Sequence, residues 1–264
     1  MLFLKCKKKI WKILLLHYFP KIGRFFGISF EARDELEVML QWIDRRGMGN
    51  KYPDWGKEVF LKTLPTNSKI LDVGCGNNSP FYTKSIAPDC YYVGLDIGEY
   101  NQKKPNLADE YIVVAPEDFV GEIRKFKNCF DAVISSHNLE HCGDREGVLL
   151  AMLYSIKENG MLYISFPSVD SISFPARAGS LNYKDDSTHE GLPPDFGEII
   201  SIISSKKFDI TYATTRYQPP IRWLIGLFHE FESASERAVK AETWAFWGFE
   251  TVIWARKKSS VAAH

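Results

Sequence analysis

The stretch Ile70-Leu71-Asp72-Val73-Gly74-Cys75-Gly76-Asn77-Asn78, followed by Tyr92-Val93-Gly94-Leu95-Asp96-Ile97, constrains this chain more than any other. An apolar run breaks into Gly-x-Gly, and a second apolar run ends in an acid. The first run reads as a strand buried on both faces of a parallel sheet. The glycines permit a tight turn and let a ligand approach the backbone closely. The helix expected after the turn offers free N–H groups at its start. The second strand brings Asp96 to the same edge of the sheet, where a carboxylate can accept ribose hydroxyls. The order of parts describes a nucleoside-binding site.

Two nucleosides compete for it. A dinucleotide fingerprint needs a third glycine, and Ser79-Pro80 stands in its place. Asp72 argues the same way, because a carboxylate there repels a phosphate and attracts a cation. S-adenosylmethionine carries a sulfonium and an ammonium and fits that field. At these residues the chain resembles the class I S-adenosylmethionine-dependent methyltransferases. Leu71-Asp72-Val73-Gly74-Cys75-Gly76 matches their first motif, and their ribose-binding acid falls on Asp96. Phe130–His141 resembles the fourth motif, and Lys157-Glu158-Asn159-Gly160 followed by Met161–Phe166 resembles the Lys-Pro-Gly-Gly turn and fifth strand. The resemblance covers roughly residues 50 to 257, and is loose over 170 to 245.

The resemblance implies a Rossmann-like, doubly wound α/β sheet of seven strands, mostly parallel with the last one antiparallel. It implies S-adenosylmethionine as the cofactor, with Asp72, Gly74 and Gly76 at the methionine end, Asp96 on the ribose and Ile97 beside the adenine. Ser135 and His137, at the end of the fourth strand, would line the methyl donor. After the third strand the family usually has an aspartate near the adenine amine. This chain has Ala115-Pro116 there, so Glu117 or the adjacent Asp118 would have to substitute.

Periodicity places strands at 69–73, 91–95, 111–114, 130–135, 161–166, 208–215 and 248–256. Helices are expected at 31–46, 54–64 and 196–205. Between the last two strands lies a segment, 217–247, far longer than an ordinary connection. It reads as Pro219-Pro220, an apolar run from Trp223 to Phe228, and a charged helix from about Glu230 to Glu242. Substrate binding, an oligomer contact and a packed lid all suit it. The expected domains are a basic arm at 1–30, a methyltransferase domain at 31–258 carrying that insertion, and a tail at 259–264.

The chain's 264 residues can bury one full core. Its net charge is zero, which gives no support to a nucleic-acid partner. Five cysteines, none at Cys-x-x-Cys spacing, speak against a disulfide framework or thiolate zinc site and point to a reducing cytoplasm. The first thirty residues hold seven cations (Lys5, Lys7, Lys8, Lys9, Lys12, Lys21, Arg24) and no acid, so the remainder carries a net charge of −7. With Leu4, Trp11 and Tyr18 spaced by sevens, residues 1–28 read either as an interfacial amphipathic helix touching a membrane or as a helix packed on the domain.

Of six histidines, His137, His141 and His189 fall in informative places. His189 or His141 is expected as general base toward a substrate hydroxyl, although Glu140-His141 can equally cap a helix. No metal ligand is assigned. His137, Glu140, His141 and His189 could nonetheless gather as four nitrogen and oxygen ligands. That pattern is similar to the Glu-x-x-Glu-His metal motif of some RNA ribose and quinone-pathway methyltransferases, with His137 where that motif has an acid. The leading expectation is O-methylation of a sugar on a small or lipid-linked glycan intermediate, in a manner resembling enzymes of bacterial surface-polysaccharide pathways. A quinone or lipid methyltransferase, a nicotinamide-dependent oxidoreductase and an inactive nucleoside-binding protein are the alternatives.

Overall fold

Seven apolar segments pair into one sheet in the order β3-β2-β1-β4-β5-β7-β6. The computed structural model describes residues 54–100 and 106–259. The N-terminal arm and the helix expected at 31–46 lie outside those residues. In chain order the elements are α1 (Lys57–Thr63), β1 (Lys69–Val73), α2 (Ser79–Ile86), β2 (Tyr91–Asp96) and β3 (Glu110–Val113). Next come α3 (Phe119–Arg124), β4 (Phe130–Ser136), α4 (Arg145–Ser155) and β5 (Ile156–Pro167). The chain ends with α5 (Phe196–Ser205), β6 (Phe208–Thr214), α6 (Pro220–Glu236), α7 (Thr243–Trp247) and β7 (Glu250–Lys257). Strands β3, β2, β1, β4 and β5 run parallel, and β7 lies antiparallel between β5 and β6.

The strands read as nearly unbroken apolar runs because both faces of the sheet are covered. Leu71, Val73, Val93, Val133 and Ile164 pack on one side against Ile123 of α3, Leu149 and Met152 of α4, and Ile199 and Ile203 of α5. Alternate residues Ile70, Tyr92, Ile134, Tyr163 and Trp254 pack on the other side, against Phe60 and Leu61 of α1 and Ile86 of α2. The starts of α4 and α5 are fixed by aspartates. Asp144 accepts from Gly147 N–H at 2.8 Å and Asp195 accepts from Glu198 N–H at 2.8 Å, contacts worth about 1 kcal/mol each.

Two elements differ from the expectation. The charged helix expected at 230–242 begins ten residues earlier, at Pro220, and takes in the apolar run Trp223–Phe228. Proline is at home in a first helical turn, where its missing N–H costs nothing, so Pro219-Pro220 opens the helix instead of preceding it. The helix stops at Arg237, whose backbone is left-handed at φ 51°. Strand β5 starts at Ile156, earlier than the expected Met161. Its pairing with β4 jumps from Phe130↔Ile156 to Ala132↔Met161, so the Lys157–Gly160 turn bulges within the strand.

The insertion is tied down by a buried pair. Arg177, after β5, donates from both terminal guanidinium nitrogens to Glu230 of α6 at 2.6 and 2.7 Å. One of those nitrogens also reaches Ser233 at 2.7 Å. A backbone bridge, Ala178↔Ala238, adds to this clamp. Helices α6 and α7 are thereby held beside the start of β7.

Candidate active site at the carboxyl ends of the strands

The turn after β1 is built by Gly74 and Gly76, both left-handed at φ 73° and 56°, a region costly for other residues. They differ in surroundings. A Cβ on Gly74 would lie 2.2 Å from Asn138 Oδ1, whereas a Cβ on Gly76 would meet nothing within 4 Å. The turn is anchored by Gly74 N–H to Leu95 O at 2.9 Å. Asp96, at the end of β2, clasps it from the other side. Its Oδ2 accepts from Gly76 N–H at 2.7 Å and its Oδ1 from Ile97 N–H at 2.7 Å. Burial pushes the Asp96 carboxyl up from its ordinary value, against the pull of those two N–H groups. Each oxygen keeps a lone pair that could accept a hydroxyl. Ile97 stands beside it with 47% of its surface exposed, and Glu117 lies exposed in the 3₁₀ turn after β3.

Asp72 is not a free anion. It is buried, and its Oδ2 is surrounded by Lys57 Nζ at 3.1 Å, Tyr92 OH at 2.8 Å and the Ser79 hydroxyl. The α1 lysine offsets the charge before any ligand arrives. Asp72 Oδ1 has no partner among the described residues. Ser135 is buried and donates to Val73 O at 3.0 Å, so its hydroxyl ties β4 to β1.

His137 joins two polar clusters. Its backbone is left-handed at φ 51°, which costs about 1 kcal/mol for a residue with a side chain. Its Nδ1 meets Glu140 Oε1 at 3.1 Å and its Nε2 meets Glu250 Oε1 at 2.6 Å. Burial opposes the imidazolium, yet the two carboxylates outweigh it and push its pKa up to about 10. Burial likewise works against the Glu250 carboxylate, and the bond and charge of His137, with Arg222 beyond, hold it below its ordinary value. The His137 ring stacks on Phe249 at 5.9 Å, and Phe249 stacks on Trp244 at 5.4 Å.

On one side of His137, the ligand atoms of Glu140, His141 and His189 lie within 4.8 Å of one another. Glu140 is fully buried and its Oε2 has no partner among the described residues. His189 Nδ1 meets Tyr183 O at 2.6 Å, and His141 Nδ1 meets Thr188 Oγ1 at 2.9 Å. Each ring is thus oriented through one nitrogen, as metal-bound imidazoles are, and the set of two nitrogens and one oxygen suits a borderline divalent ion. The structure brings these three together, while both ring nitrogens of His137 are taken up by Glu140 Oε1 and Glu250 Oε1.

On the other side lies a cavity of about 700 Å³ between the ends of β4, β5 and β7 and the insertion. Lys57, Ser136, Tyr163, Arg222, Trp244 and Glu250 are among its walls, whereas His141 and His189 are not. Sequence reasoning missed Lys57, Arg222 and Glu250. Glu250 left a faint signal, being the one acid in β7, just ahead of the apolar run Val252–Ala255.

The residues around the turn fit the adenosyl group that the sequence implied. Six buried side-chain polar atoms lack a partner among the described residues, and four of them, Asp72 Oδ1, Ser136 Oγ, Asn138 Nδ2 and Glu140 Oε2, sit at or just beyond the carboxyl ends of β1 and β4. Open α/β sheets bind ligands at such a switch point between neighbouring strands. Unpaired buried polar atoms are costly, and the open face of Gly76 adds a place for a ligand to lie.

Comparison with known proteins agrees. Residues 44–209, well over half of the chain, match the methyltransferase domain family. Over 172 residues the chain is 26% identical to the mitochondrial ubiquinone biosynthesis O-methyltransferase of Homo sapiens, covering 55% of this chain and 45% of that protein. Over 116 residues it is 25% identical to the tRNA (carboxymethyluridine(34)-5-O)-methyltransferase of Arabidopsis thaliana, covering 44% of this chain and 28% of that one. The chain thus spans less than half the length of these relatives. Among solved structures it is similar in fold to an S-adenosylmethionine-dependent methyltransferase from Mesorhizobium loti, with TM-score 0.52 and 16% identity over 77% of this chain and 97% of that chain. By family match, by fold and by the turn that Asp96 clasps, the chain belongs to the methyltransferase domain family.

Proposed function

We propose that this protein transfers a methyl group from S-adenosylmethionine to a hydroxyl of a sugar or glycan intermediate. The observation that carries the first half is the set of unpartnered buried polar atoms around the Gly74–Gly76 turn. When bound, the cofactor supplies a methyl group made electrophilic by its sulfonium. Asp96 would accept the ribose hydroxyls while holding Gly76, Ile97 would flank the adenine, and Glu117 would stand near its amine. Gly74, Gly76, Asp72 and Asn138 would frame the methionine end. Ser135 and His137 would close the donor side.

The acceptor half rests on the cavity. Its walls mix Lys57 and Arg222 with Glu250, and add the flat faces of Tyr163 and Trp244. Planar hydrogen-bonding groups beside aromatic faces suit a polyhydroxylated ring. They suit an apolar quinone tail less well, which places the quinone or lipid methyltransferase second. A nicotinamide oxidoreductase is disfavoured by Ser79-Pro80 in place of the third glycine. An inactive nucleoside binder would leave the cavity without a role. His189 or His141 is the proton acceptor that the sequence proposes. Both keep Nε2 free of hydrogen bonds among the described residues, with Asp186 at 3.9 Å from that of His189.

A second reading makes these histidines, with Glu140, a divalent metal site, favoured by the buried and unpaired Glu140 Oε2. Zinc titration of the wild type and of Glu140→Gln separates the two, since only a metal site loses stoichiometric zinc in the variant. The proposal further places the protein in the cytoplasm, with residues 1–28 touching membrane lipid. No described helix is long and apolar enough to cross a bilayer. Deleting residues 1–28 should abolish sedimentation with anionic liposomes, and unchanged sedimentation would remove that contact.

The acceptor is tested with labelled S-adenosylmethionine against methyl glycosides, nucleotide-linked hexoses and short-tailed quinols. Label in the sugars is the expected outcome. Label confined to the quinols would overturn the sugar assignment.

A further inference from the structure

Glu250 sits at the meeting point of the cavity and the His137 cluster, and its two oxygens are unequally engaged. Oε1 is held by His137 Nε2 at 2.6 Å. Oε2 has no hydrogen-bond partner among the described residues, and the side chain lines the cavity while remaining 23% exposed. His137 is itself fixed, by Glu140 through Nδ1 and by the face of Phe249. Ser136 opens onto the same cavity with a buried hydroxyl that lacks a partner among the described residues. Lys57, which also lines the cavity, bonds to Asp72 at the glycine turn. The free oxygen of Glu250 is therefore held rigidly in a cavity that abuts the proposed donor site.

The geometry points to Glu250 as the catalytic residue for the acceptor, its Oε2 taking the hydrogen bond of the reacting hydroxyl and then the proton, with His137 as the positioning residue that aims the carboxylate. This rests on the hydroxyl-methylating reading above. The acceptor oxygen gives a lone pair to the methyl carbon as the carbon–sulfur bond breaks, and that bond's electron pair stays on sulfur. A newly methylated oxygen that still carries its hydrogen is a strong acid, so even a weakly basic carboxylate takes the proton. The proton then leaves to water in the open cavity. The role that the sequence gives to His189 or His141 moves to Glu250 because neither histidine reaches the cavity wall.

The test compares wild type with Glu250→Gln and Glu250→Asp in three measurements. S-adenosylhomocysteine titration reads the cofactor site, labelled-methyl transfer to methyl glycosides, nucleotide-linked hexoses and catechol reads turnover, and titration of the best of these acceptors into the S-adenosylhomocysteine complex reads acceptor binding. Glu250→Gln should bind S-adenosylhomocysteine as wild type does and lose roughly 100-fold in kcat, the scale of a lost general base. Its acceptor binding should weaken by about tenfold, the scale of one hydrogen bond to a charged group. Glu250→Asp keeps the charge one methylene further back and should fall between the two. It also replaces the glutamine variant in the comparison if that protein no longer binds S-adenosylhomocysteine. Turnover within about threefold of wild type in the variant would overturn the role of Glu250 and leave the hydroxyl reading standing. No transfer by wild type to any of these acceptors, with S-adenosylhomocysteine bound, would overturn the hydroxyl reading and Glu250 with it.

Discussion

The two ends of the sheet's carboxyl edge are built on opposite plans. At the β1–β2 end, polar groups are spent on neighbours within one short stretch of chain. Asp96 closes on Gly76 and Ile97, and Asp72 on Ser79 and Tyr92. At the β5–β7 end, the cavity is assembled from α1, β4, β5, the insertion and β7, and its central contact, His137 to Glu250, joins residues 113 apart. The first plan fixes a geometry that a local motif can carry unchanged. The second makes the proposed acceptor site depend on loops and the insertion, which the glycine turn does not need.

Breaking the first region should have the larger effect. Gly74→Ala forces a side chain into a left-handed backbone and against Asn138. It should cost about 3 kcal/mol, from backbone strain and overpacking together, seen as a lowered denaturant midpoint. A variant as stable as wild type would mean the turn is looser than its contacts suggest. Asp96→Ala removes a carboxylate that clasps the turn and would hold the ribose, so S-adenosylhomocysteine affinity should fall by about 100-fold, the scale of a lost charge-assisted bond or two. Affinity unchanged by that variant would detach Asp96 from the cofactor.

A smaller change should separate the two regions. Trp244→Ala removes one cavity wall and leaves the glycine turn untouched. Acceptor kcat/KM should drop by about tenfold, the scale of one aromatic contact, with S-adenosylhomocysteine binding unaltered. A parallel loss of both would show that the insertion supports the cofactor too.

The smallest effect should come from a pair outside either region. Asp131, on β4, bonds to Lys157 at 2.8 Å. Burial works to raise its carboxyl, but the lysine and the Lys69 N–H hold it below its ordinary value. The unfolded chain therefore takes up the proton first. The stabilisation is complete above the usual carboxylate range, about pH 4, and is lost as pH falls through the lower folded value. Both side chains are well exposed, so Asp131→Asn should change stability by less than about 1 kcal/mol. Its chemical-denaturation profile should be flatter in acid, and an unchanged acid profile would show that the pair contributes nothing.

The same contrast explains what the sequence disclosed. The positions of the seven strands were legible because buried strands read as apolar runs, the antiparallel last strand only through the family resemblance, and the turn because Gly-x-Gly followed by an acid is local. Lys57 on Asp72 was hidden because a lysine in a short helix has no pattern that names its partner. Glu250 was hidden because its significance depends on β7 inserting beside β5. The start of α6 was misplaced because two prolines mimic a break, although a first turn tolerates them.

The cofactor site is tested most directly by calorimetric titration of the purified protein with S-adenosylmethionine, S-adenosylhomocysteine and NAD. The expected result is micromolar binding of the first two, about 100-fold weaker in Asp96→Ala, and none of NAD. Binding of NAD alone, or none of the three, would contradict the assignment of that site to S-adenosylmethionine.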